Sequence, residues 1–359
     1  SKDDLPAVTE IFEREGVEAN VIGEFTADHR LVMYYGEEKV CDLDMGFLHD
    51  GLPMDVKKAK ARARPEPCVD LPKPVDMNSI LLGLLGGLNI CSREWVIREY
   101  DHEVQGTSVI KPLVGRAGIG PQDAVVIAPR LGTRKGVAVS CGLNPGFGRL
   151  DAYNMALSAV DEALRNLVCA GADLKRAAML DNFCLSSPER EEVLGDLVLS
   201  ARGCYDASRC FGVPFISGKD SLYNEWVDRN GTVFSIPPTL LISAIGIIDD
   251  VRTCLTMDLK RTDSALYLVG ETKSELGGSE YYRMLSIRSG VVPSIDFETA
   301  PKIMEMMHRS IERGLVYACH DLSEGGLGVA LSEMAFSADI GVDVDIQDVR
   351  FSGEKVRHD

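Results

Sequence analysis

The sequence predicts an α/β unit followed by an α+β unit. Between residues 91 and 255, apolar strand-like runs alternate with amphipathic helical stretches, the pattern of an α/β domain. From residue 256, a strand-like run, a turn rich in Gly and Glu and a helix predict an α+β domain. At 359 residues and 45% hydrophobic composition, the chain is long enough to bury more than one core.

The first 90 residues do not predict an independent domain. Strand-like runs at 19–25, 31–35 and 38–43 accompany one short helix, which is too little structure to be stable alone. Residues 1–56 are therefore expected to complete another domain. Residues 57–90 are expected to be a linker, because closely spaced prolines at positions 65, 67, 72 and 74 break both helices and central strands.

The α/β unit is assigned from its periodicity. Strands are predicted at 108–114, 123–128, 136–140, 176–180, 213–217 and 240–248, and helices at 151–171 and 188–211.

The α+β unit, residues 256–359, is predicted with strands at 264–269, 314–320 and 341–346 and a helix at 298–313. These elements are few for a whole domain, so the unit is expected to be incomplete and the chain to be a fragment.

Composition disfavours several classes of partner. The formal charge of −17 would repel a phosphate backbone, so nucleic acid and anionic membranes are not expected partners. The longest apolar stretch, residues 80–88, is too short to cross a bilayer. Ten cysteines occur singly and without a Cys-x-x-Cys pair, which favours buried thiols in a reducing cytoplasm over a zinc or iron–sulfur site.

The segment 217–225 (SGKDSLYNE) directly follows the apolar run 213–216 and is the strongest candidate for an anion site. A strand that ends in a glycine-opened polar turn can bring backbone NH groups, a cation and a hydroxyl to one phosphate. The spacing is not that of a P-loop, and a plain surface turn fits the local pattern equally well.

Two further places could hold ligands. Glu162 and Asn166, four residues apart on one helix, could share Mg²⁺, although a solvated helix face explains them locally better. Asp181 follows a predicted strand, and Asp321 and Ser323 precede a glycine-rich helix start; helix capping or turn formation competes with ligand binding at all three. His102, between two acids, fits a hydrogen-bonded structural group better than a general acid or base.

Taken together, six segments in chain order resemble phosphoribosylformylglycinamidine synthases. They are 47–53 (FLHDGLP), 100–106 (YDHEVQG), 162–167 (EALRNL), 217–225 (SGKDSLYNE), 276–281 (LGGSEY) and 320–327 (HDLSEGGL). The resemblance implies an aminoimidazole-ribonucleotide-synthetase-like module, an α/β domain followed by an α+β domain, that occurs twice in the family. This chain matches the tail of the first copy and most of the second.

The resemblance also implies roles for individual residues. Asp181 and Gly218 would contact ATP, and Ser221 would contact the substrate. Lys219 departs from the Asn that shorter family members place there as a magnesium ligand, so Lys219 is assigned to phosphate binding or structural pairing. No catalytic residue is expected here, because the family's essential histidine belongs to the first copy.

Larger family members hold a structural nucleotide with Mg²⁺ in the second copy. By matched position, Asp123, Glu162, Asn166 and Asp321 would bind the metal and Ser323 the nucleotide. Three carboxylates and an amide suit Mg²⁺.

The implied reaction is the ATP-dependent amidation of formylglycinamide ribonucleotide through an iminophosphate, in purine biosynthesis. A glutaminase subunit, and in some organisms a small bridging subunit, would supply ammonia from glutamine. The alternatives are a non-catalytic scaffold half stabilised by a nucleotide, or a related synthetase for aminoimidazole ribonucleotide or selenophosphate.

Overall fold

The structure is a computed structural model that describes residues 1–62 and 76–352. It divides into two compact units, Ser1–Lys57 and the chain from Lys58 onward. The proline-rich stretch of the predicted linker and the last seven residues lie outside the described residues. None of the helices in the described ranges is long and apolar enough to cross a membrane.

The first unit contains two helices and one hairpin. Its elements are α1 (Leu5–Arg14), β1 (Arg30–Tyr35), β2 (Glu38–Asp44) and α2 (Met45–Asp50). β1 pairs antiparallel with β2, and the Asp44 side chain caps α2 by accepting hydrogen bonds from Gly46 N and Phe47 N. The strand predicted at 19–25 is wrong: this segment has no assigned strand, and its Ile22 and Phe25 side chains are fully exposed.

The second unit holds the remaining elements. Its helices are α3 (Met77–Leu85), α4 (Glu94–Ile97), α5 (Pro145–Gly148), α6 (Ala152–Cys169), α7 (Glu191–Phe211), α8 (Glu280–Met284), α9 (Ala300–Glu312) and α10 (Gly326–Ala338). Its strands are β3 (Ser108–Ile110), β4 (Leu113–Val114), β5 (Gly120–Pro121), β6 (Val125–Ile127), β7 (Gly136–Leu143), β8 (Ala177–Cys184), β9 (Phe215–Ser221), β10 (Glu225–Val227), β11 (Val233–Ser235), β12 (Thr239–Ile248), β13 (Thr272–Lys273) and β14 (Phe351–Ser352). Helix α3 falls within the predicted linker.

A six-stranded sheet organises the second unit, with strand order β3-β6-β7-β12-β8-β9. β12 pairs antiparallel with both β7 and β8, while β8 and β9 run parallel. Residues along β12 alternate between buried and more exposed positions, so one face of the sheet forms the core.

Helix α6 covers that face and forms the centre of the core. Its apolar stripe, including Val160, Leu164 and Leu167, is fully buried. The helix lies so close to β7 that a Cβ added to Gly142 would stand 2.1 Å from the carbonyl oxygen of Ala159. Glycine at position 142 therefore sets the distance between helix and sheet.

Two strands are longer than the sequence predicts. β9 continues to Ser221 instead of ending at Ser217, because its parallel pairing with β8 extends to the Cys184 and Ser221 pair. The predicted glycine-opened turn at 217–225 is therefore wrong over its first half. β8 likewise continues to Cys184, so Asp181 lies inside the strand rather than after it.

The strands predicted at 264–269, 314–320 and 341–346 are wrong. These segments have no assigned strand or helix over most of their length, and side chains such as Tyr267, Leu315 and Ile346 are exposed. Alternating apolar residues predict an extended backbone, but a strand also needs a hydrogen-bonded neighbour. The helix predicted at 298–313 is present as α9.

Candidate functional site

Asp123 and Asp321, predicted to share a metal ion, lie in contact. Asp123 precedes β6 and its side chain has no exposed surface. Its Oδ1 accepts a 3.0 Å hydrogen bond from the backbone NH of Asp321 and a 2.7 Å contact from His320 Nδ1. One ligand atom from each of Asp123, His320 and Asp321 lies within 4.8 Å of the others. Two segments far apart in sequence thus converge at the β6 end of the core.

Glu162 and Asn166 face β7 from α6 rather than solvent. Glu162 Oε2 accepts hydrogen bonds of 2.9 Å from Leu143 N and from Asn144 Nδ2. Asn166 is 8% exposed and its Nδ2 donates to the carbonyl oxygen of Cys141 at 3.0 Å. The solvated-face interpretation of this pair is therefore wrong.

Arg165 connects the helix to the aspartates. Its Nη1 lies 2.5 Å from Asp161 Oδ2 and its Nη2 lies 3.3 Å from Asp321 Oδ2. Burial disfavours the charged guanidinium, but Asp161, Asp321 and Glu162 outweigh it and raise the pKa of Arg165 above its usual value. Arg165 therefore remains a fixed cation that orients Asp321.

Negative charge still exceeds positive charge around Glu162. Burial, with Glu324 and Asp321 nearby, raises the pKa of Glu162 to about 8. Burial also raises the pKa of Asp321, against the opposing effect of Arg165. The Glu324 pKa is raised by burial and by Glu280. Such carboxyl groups are held in a place where ionisation is costly unless a cation arrives.

The oxygen atoms at this site fit Mg²⁺. Among the described residues, Asp123 Oδ2 and Asn166 Oδ1 are buried and have no hydrogen-bond partner. Carboxylate and amide oxygens are the hard ligands that Mg²⁺ takes. The two unsatisfied acceptors belong to two of the four residues predicted as metal ligands.

Ser323 lies in the loop that leads from Asp321 into α10 and is exposed. Helix α10 begins after Gly325 without a side-chain cap. Neither Asp321 nor Ser323 therefore caps the N-terminus of α10. Gly326 N donates to the Ser323 carbonyl oxygen at 3.0 Å, so the NH groups that follow it in the first turn are the ones available to an anion.

A second group forms on β8 and β9. Asp181 pairs with Gly218 across the two strands, and a Cβ added to Gly218 would lie 2.4 Å from Asp181 Oδ1. Burial and Asp220 raise the pKa of Asp181. On the same strand, Lys219 Nζ contacts Ser221 Oγ at 2.6 Å. Asp181 and Gly218 are thus neighbours, whereas Ser221 pairs with Cys184 three residues further along β9, on the opposite face of the sheet, where Lys219 contacts it.

The two groups occupy different parts of the sheet. Asp123 precedes β6, whereas Asp181 and Gly218 lie on β8 and β9, three and four strand intervals from β6 in the strand order. At about 4.8 Å per interval, this places β8 and β9 roughly 14 and 19 Å from β6. The chain therefore carries two candidate sites.

Sequence reasoning gave no role to His320, Arg165 or Glu333. His320 Nε2 lies 3.0 Å from Glu333 Oε2, so its ring connects Asp123 to α10. The signal available was the spacing of charged residues: Asp161 and Arg165 lie four apart on a helix, and His320 is next to Asp321. His102 lies in an exposed loop outside these contacts.

Two family profiles match the second unit. Residues 121–248 match the N-terminal domain of AIR synthase related proteins, and residues 261–357 match the C-terminal domain. The predicted fold class, α/β followed by α+β, is confirmed by these matches.

Curated relatives extend the match to nearly the whole chain. The phosphoribosylformylglycinamidine synthase subunit PurL of Thermococcus sibiricus is 37% identical over 98% of this chain and 46% of its own length. The subunit of the same name from Methanocaldococcus jannaschii is 36% identical over 94% of this chain and 45% of its own. The chain thus spans about half the length of the curated relatives it matches.

The solved structure of T. maritima PurL complexed with FGAR has the same fold, with a TM-score of 0.54, 16% identity, and coverage of 88% of this chain and 42% of that one. The site residues above thus lie on a scaffold that recurs in solved structures. Because both domain profiles match and the curated relatives align with nearly all of its residues, the chain belongs to the AIR synthase related protein family and is similar to about half of phosphoribosylformylglycinamidine synthase subunit PurL.

Proposed function

We propose that this chain is the second half of a phosphoribosylformylglycinamidine synthase. The whole enzyme would be an ATP-dependent carbon–nitrogen ligase of purine biosynthesis that converts formylglycinamide ribonucleotide to its amidine. ATP would phosphorylate the amide oxygen, and ammonia would attack the resulting iminophosphate and release phosphate. The observation that carries the proposal is the contact of Asp123 with Asp321, with Glu162 near enough to Asp321 for its pKa to be raised, in a chain similar to PurL along nearly its whole length.

The first site would hold a magnesium nucleotide. Asp123, Glu162, Asn166 and Asp321 would bind Mg²⁺, which neutralises phosphate charge when bound. Ser323 and the uncapped first turn of α10 would receive the phosphates. The two buried acceptors without partners among the described residues support this role.

The second site would take part in turnover. Asp181 and Gly218 would contact ATP and Ser221 the substrate, with residues from the other half of the enzyme completing the site. The absence of a side chain at Gly218 lets Asp181 occupy that edge of the sheet. Such a site works by positioning and charge stabilisation, which needs no nucleophile from this chain.

Partners and location follow from the same proposal. A glutaminase subunit, and in some organisms a small bridging subunit, would deliver ammonia. The enzyme would act in the cytoplasm, in keeping with nine described cysteines that are all free thiols. The coverage of the relatives supports the expectation that the chain works with a further half.

Reconstitution tests this function. Phosphate release from ATP with formylglycinamide ribonucleotide and ammonia is measured for the chain alone, for the part of the T. sibiricus relative that the chain does not match, and for the mixture. We expect turnover only in the mixture and its loss with Asp181→Asn. Turnover by this chain alone, or none in the mixture while both parts are folded, would contradict the proposal.

A scaffold role is the second candidate, because the Asp123 site is contained within this chain and lies away from Asp181. In that case the chain binds Mg-ADP tightly and contributes nothing to turnover. Calorimetric ADP titration of this chain alone separates the candidates when combined with the reconstitution. Asp181→Asn leaves the ADP affinity of the Asp123 site unchanged in both cases, but abolishes turnover of the mixture only if the chain contributes to catalysis. The related synthetases are disfavoured, since relatives that cover the whole chain bear the synthase name.

A further inference from the structure

His320 lies between two carboxylates inside the second unit. Its Nδ1 is 2.7 Å from Asp123 Oδ1 and its Nε2 is 3.0 Å from Glu333 Oε2. The side chains of His320, Asp123 and Glu333 are 9%, 0% and 15% exposed. Each ring nitrogen lies within hydrogen-bonding distance of a carboxylate oxygen, so neither faces an open position, although a ring nitrogen lies within 4.8 Å of an oxygen of each aspartate.

The contact with His320 distinguishes the two oxygens of Asp123. Oδ1 accepts from the His320 ring and from the backbone NH of Asp321. Oδ2 is buried and has no partner among the described residues. The ring therefore fixes which carboxylate oxygen is left for another group, and rotation of the carboxylate would break two hydrogen bonds.

Glu333 holds the ring in place from α10. Glu333 lies about two turns into this helix, so the Asp123–His320–Glu333 chain links the middle of α10 to the residue that precedes β6. Glu333 accepts from Nε2, which keeps Nδ1 directed at Asp123. A ligand that must hold one orientation usually has such a partner behind it, and loss of the partner weakens metal binding about 10- to 100-fold.

We propose that His320, anchored by Glu333, is a positioning residue that presents Asp123 Oδ2 to the divalent cation of the nucleotide site. The inference rests on the proposed function of that site. It assigns a role to two residues that bind neither the metal nor the nucleotide.

Two substitutions of His320 separate positioning from packing. In His320→Asn, the amide nitrogen replaces Nδ1 and keeps a donor toward Asp123. In His320→Gln, the longer amide replaces Nε2 and keeps a donor toward Glu333 instead. Mn²⁺ binding to the whole chain, followed by electron paramagnetic resonance, should be weakened about 10- to 100-fold by His320→Gln and less than about fivefold by His320→Asn.

Glu333→Ala provides a variant with the ring intact. We expect intermediate weakening of Mn²⁺ binding, because the ring then loses its anchor but not its donor. His308→Gln is the matched control: His308 on α9 is partly buried and contacts the Gly171 carbonyl oxygen, away from the aspartates, so Mn²⁺ affinity should not change. Urea unfolding of each variant reports whether it is folded.

The outcomes distinguish this inference from the function it rests on. If the unaltered chain binds no Mn²⁺, the metal site and this inference both fail. If the unaltered chain binds Mn²⁺ and His320→Gln binds it equally well, only the positioning role fails. Equal weakening by His320→Asn and His320→Gln would also overturn the positioning role, because it would show that the ring acts by filling space. Should His320→Gln not fold, unchanged affinity in Glu333→Ala overturns it.

Discussion

Glu162 occupies a position where ionisation of its side chain destabilises the protein when no cation is bound. Its carboxylate accepts two hydrogen bonds yet faces Glu324 and Asp321, and burial raises its pKa to about 8. The sequence indicated the pair Glu162 and Asn166 by their spacing, but local chemistry favoured a solvated face. What the sequence could not give is burial, which depends on how closely α6 approaches β7.

Replacing Glu162 tests this electrostatic cost. Because its pKa in the folded protein is raised from 4.5 to about 8, the stability that its protonated form provides is complete below about pH 4.5 and is lost as the pH rises through 8. Glu162→Gln keeps an acceptor without the charge. In metal-free buffer at pH 9, we expect it to raise the free energy of unfolding by about 2–4 kcal/mol relative to the unaltered chain, measured by urea denaturation.

At pH 4 the advantage of Glu162→Gln should disappear. Glu312→Gln, at an exposed position at the end of α9, serves as the control. It should leave the free energy of unfolding unchanged at both pH values. Equal differences between Glu162→Gln and the unaltered chain at both pH values would contradict the raised pKa.

Gly218 sets the position of Asp181 at the second site. In Gly218→Ala, the new methyl group would lie 2.4 Å from Asp181 Oδ1, so the carboxylate must turn away. Since Gly218 is exposed, little stability should be lost. We expect the KM for ATP in the reconstituted enzyme to rise about tenfold, as for the loss of one charged contact. Gly341→Ala, at an exposed and open position, should leave KM unchanged; an unchanged KM in Gly218→Ala would contradict the assignment.

At the scale of elements, the strands and helices of the α/β unit were predictable, whereas in the α+β unit the helix α9 was predicted and the strands were not. Strands β7, β8 and β12 and helices α6 and α7 have clear periodicity, which predicts them within a few residues. Strand ends depend on the neighbouring strand, so β8 and β9 run further than their apolar runs. In the C-terminal region the alternating segments have no assigned strand, and no local pattern reveals the lack of a neighbouring strand.

The close contact of α6 and β7 predicts a sensitive glycine. In Gly142→Ala the added methyl group meets the backbone of Ala159 at 2.1 Å, so the helix must move away from the sheet. We expect a loss of roughly 1–3 kcal/mol in the free energy of unfolding, together with weaker Mn²⁺ binding because Glu162 and Asn166 move with α6.

Gly23→Ala is the control for this substitution, since a Cβ there meets nothing within 4 Å. Chemical denaturation and Mn²⁺ titration are measured on both variants. Gly142→Ala with unchanged stability and affinity would show that the helix can shift without effect on the site.

At the scale of the whole molecule, large apolar side chains remain exposed outside the core. Tyr267, Leu315 and Ile346 are 82%, 68% and 54% exposed in segments without assigned strands. Their sequence predicted a sheet that the described residues do not form. A strand needs a hydrogen-bonded neighbour as well as a suitable sequence, so an alternating pattern alone cannot predict whether such a segment pairs.

Amide hydrogen exchange, followed by mass spectrometry, can compare the protection of residues 264–269 with that of β12. We expect amides of residues 264–269 to exchange quickly in the isolated chain, because no backbone hydrogen bond joins them to other described residues. Amides of β12, bonded on both sides, should exchange slowly. Slow exchange at 264–269 in the chain alone would contradict the unpaired arrangement.

Helix α6 links ligand binding to the stability of the second unit. It supplies the centre of the core, and it also directs Glu162 and Asn166 toward β7. Anything that binds those two side chains therefore holds the structural centre of the unit together, and a nucleotide at a hundred times its dissociation constant adds about 2.7 kcal/mol to folding. Melting curves can thus rank candidate ligands on the intact chain before any partner is found.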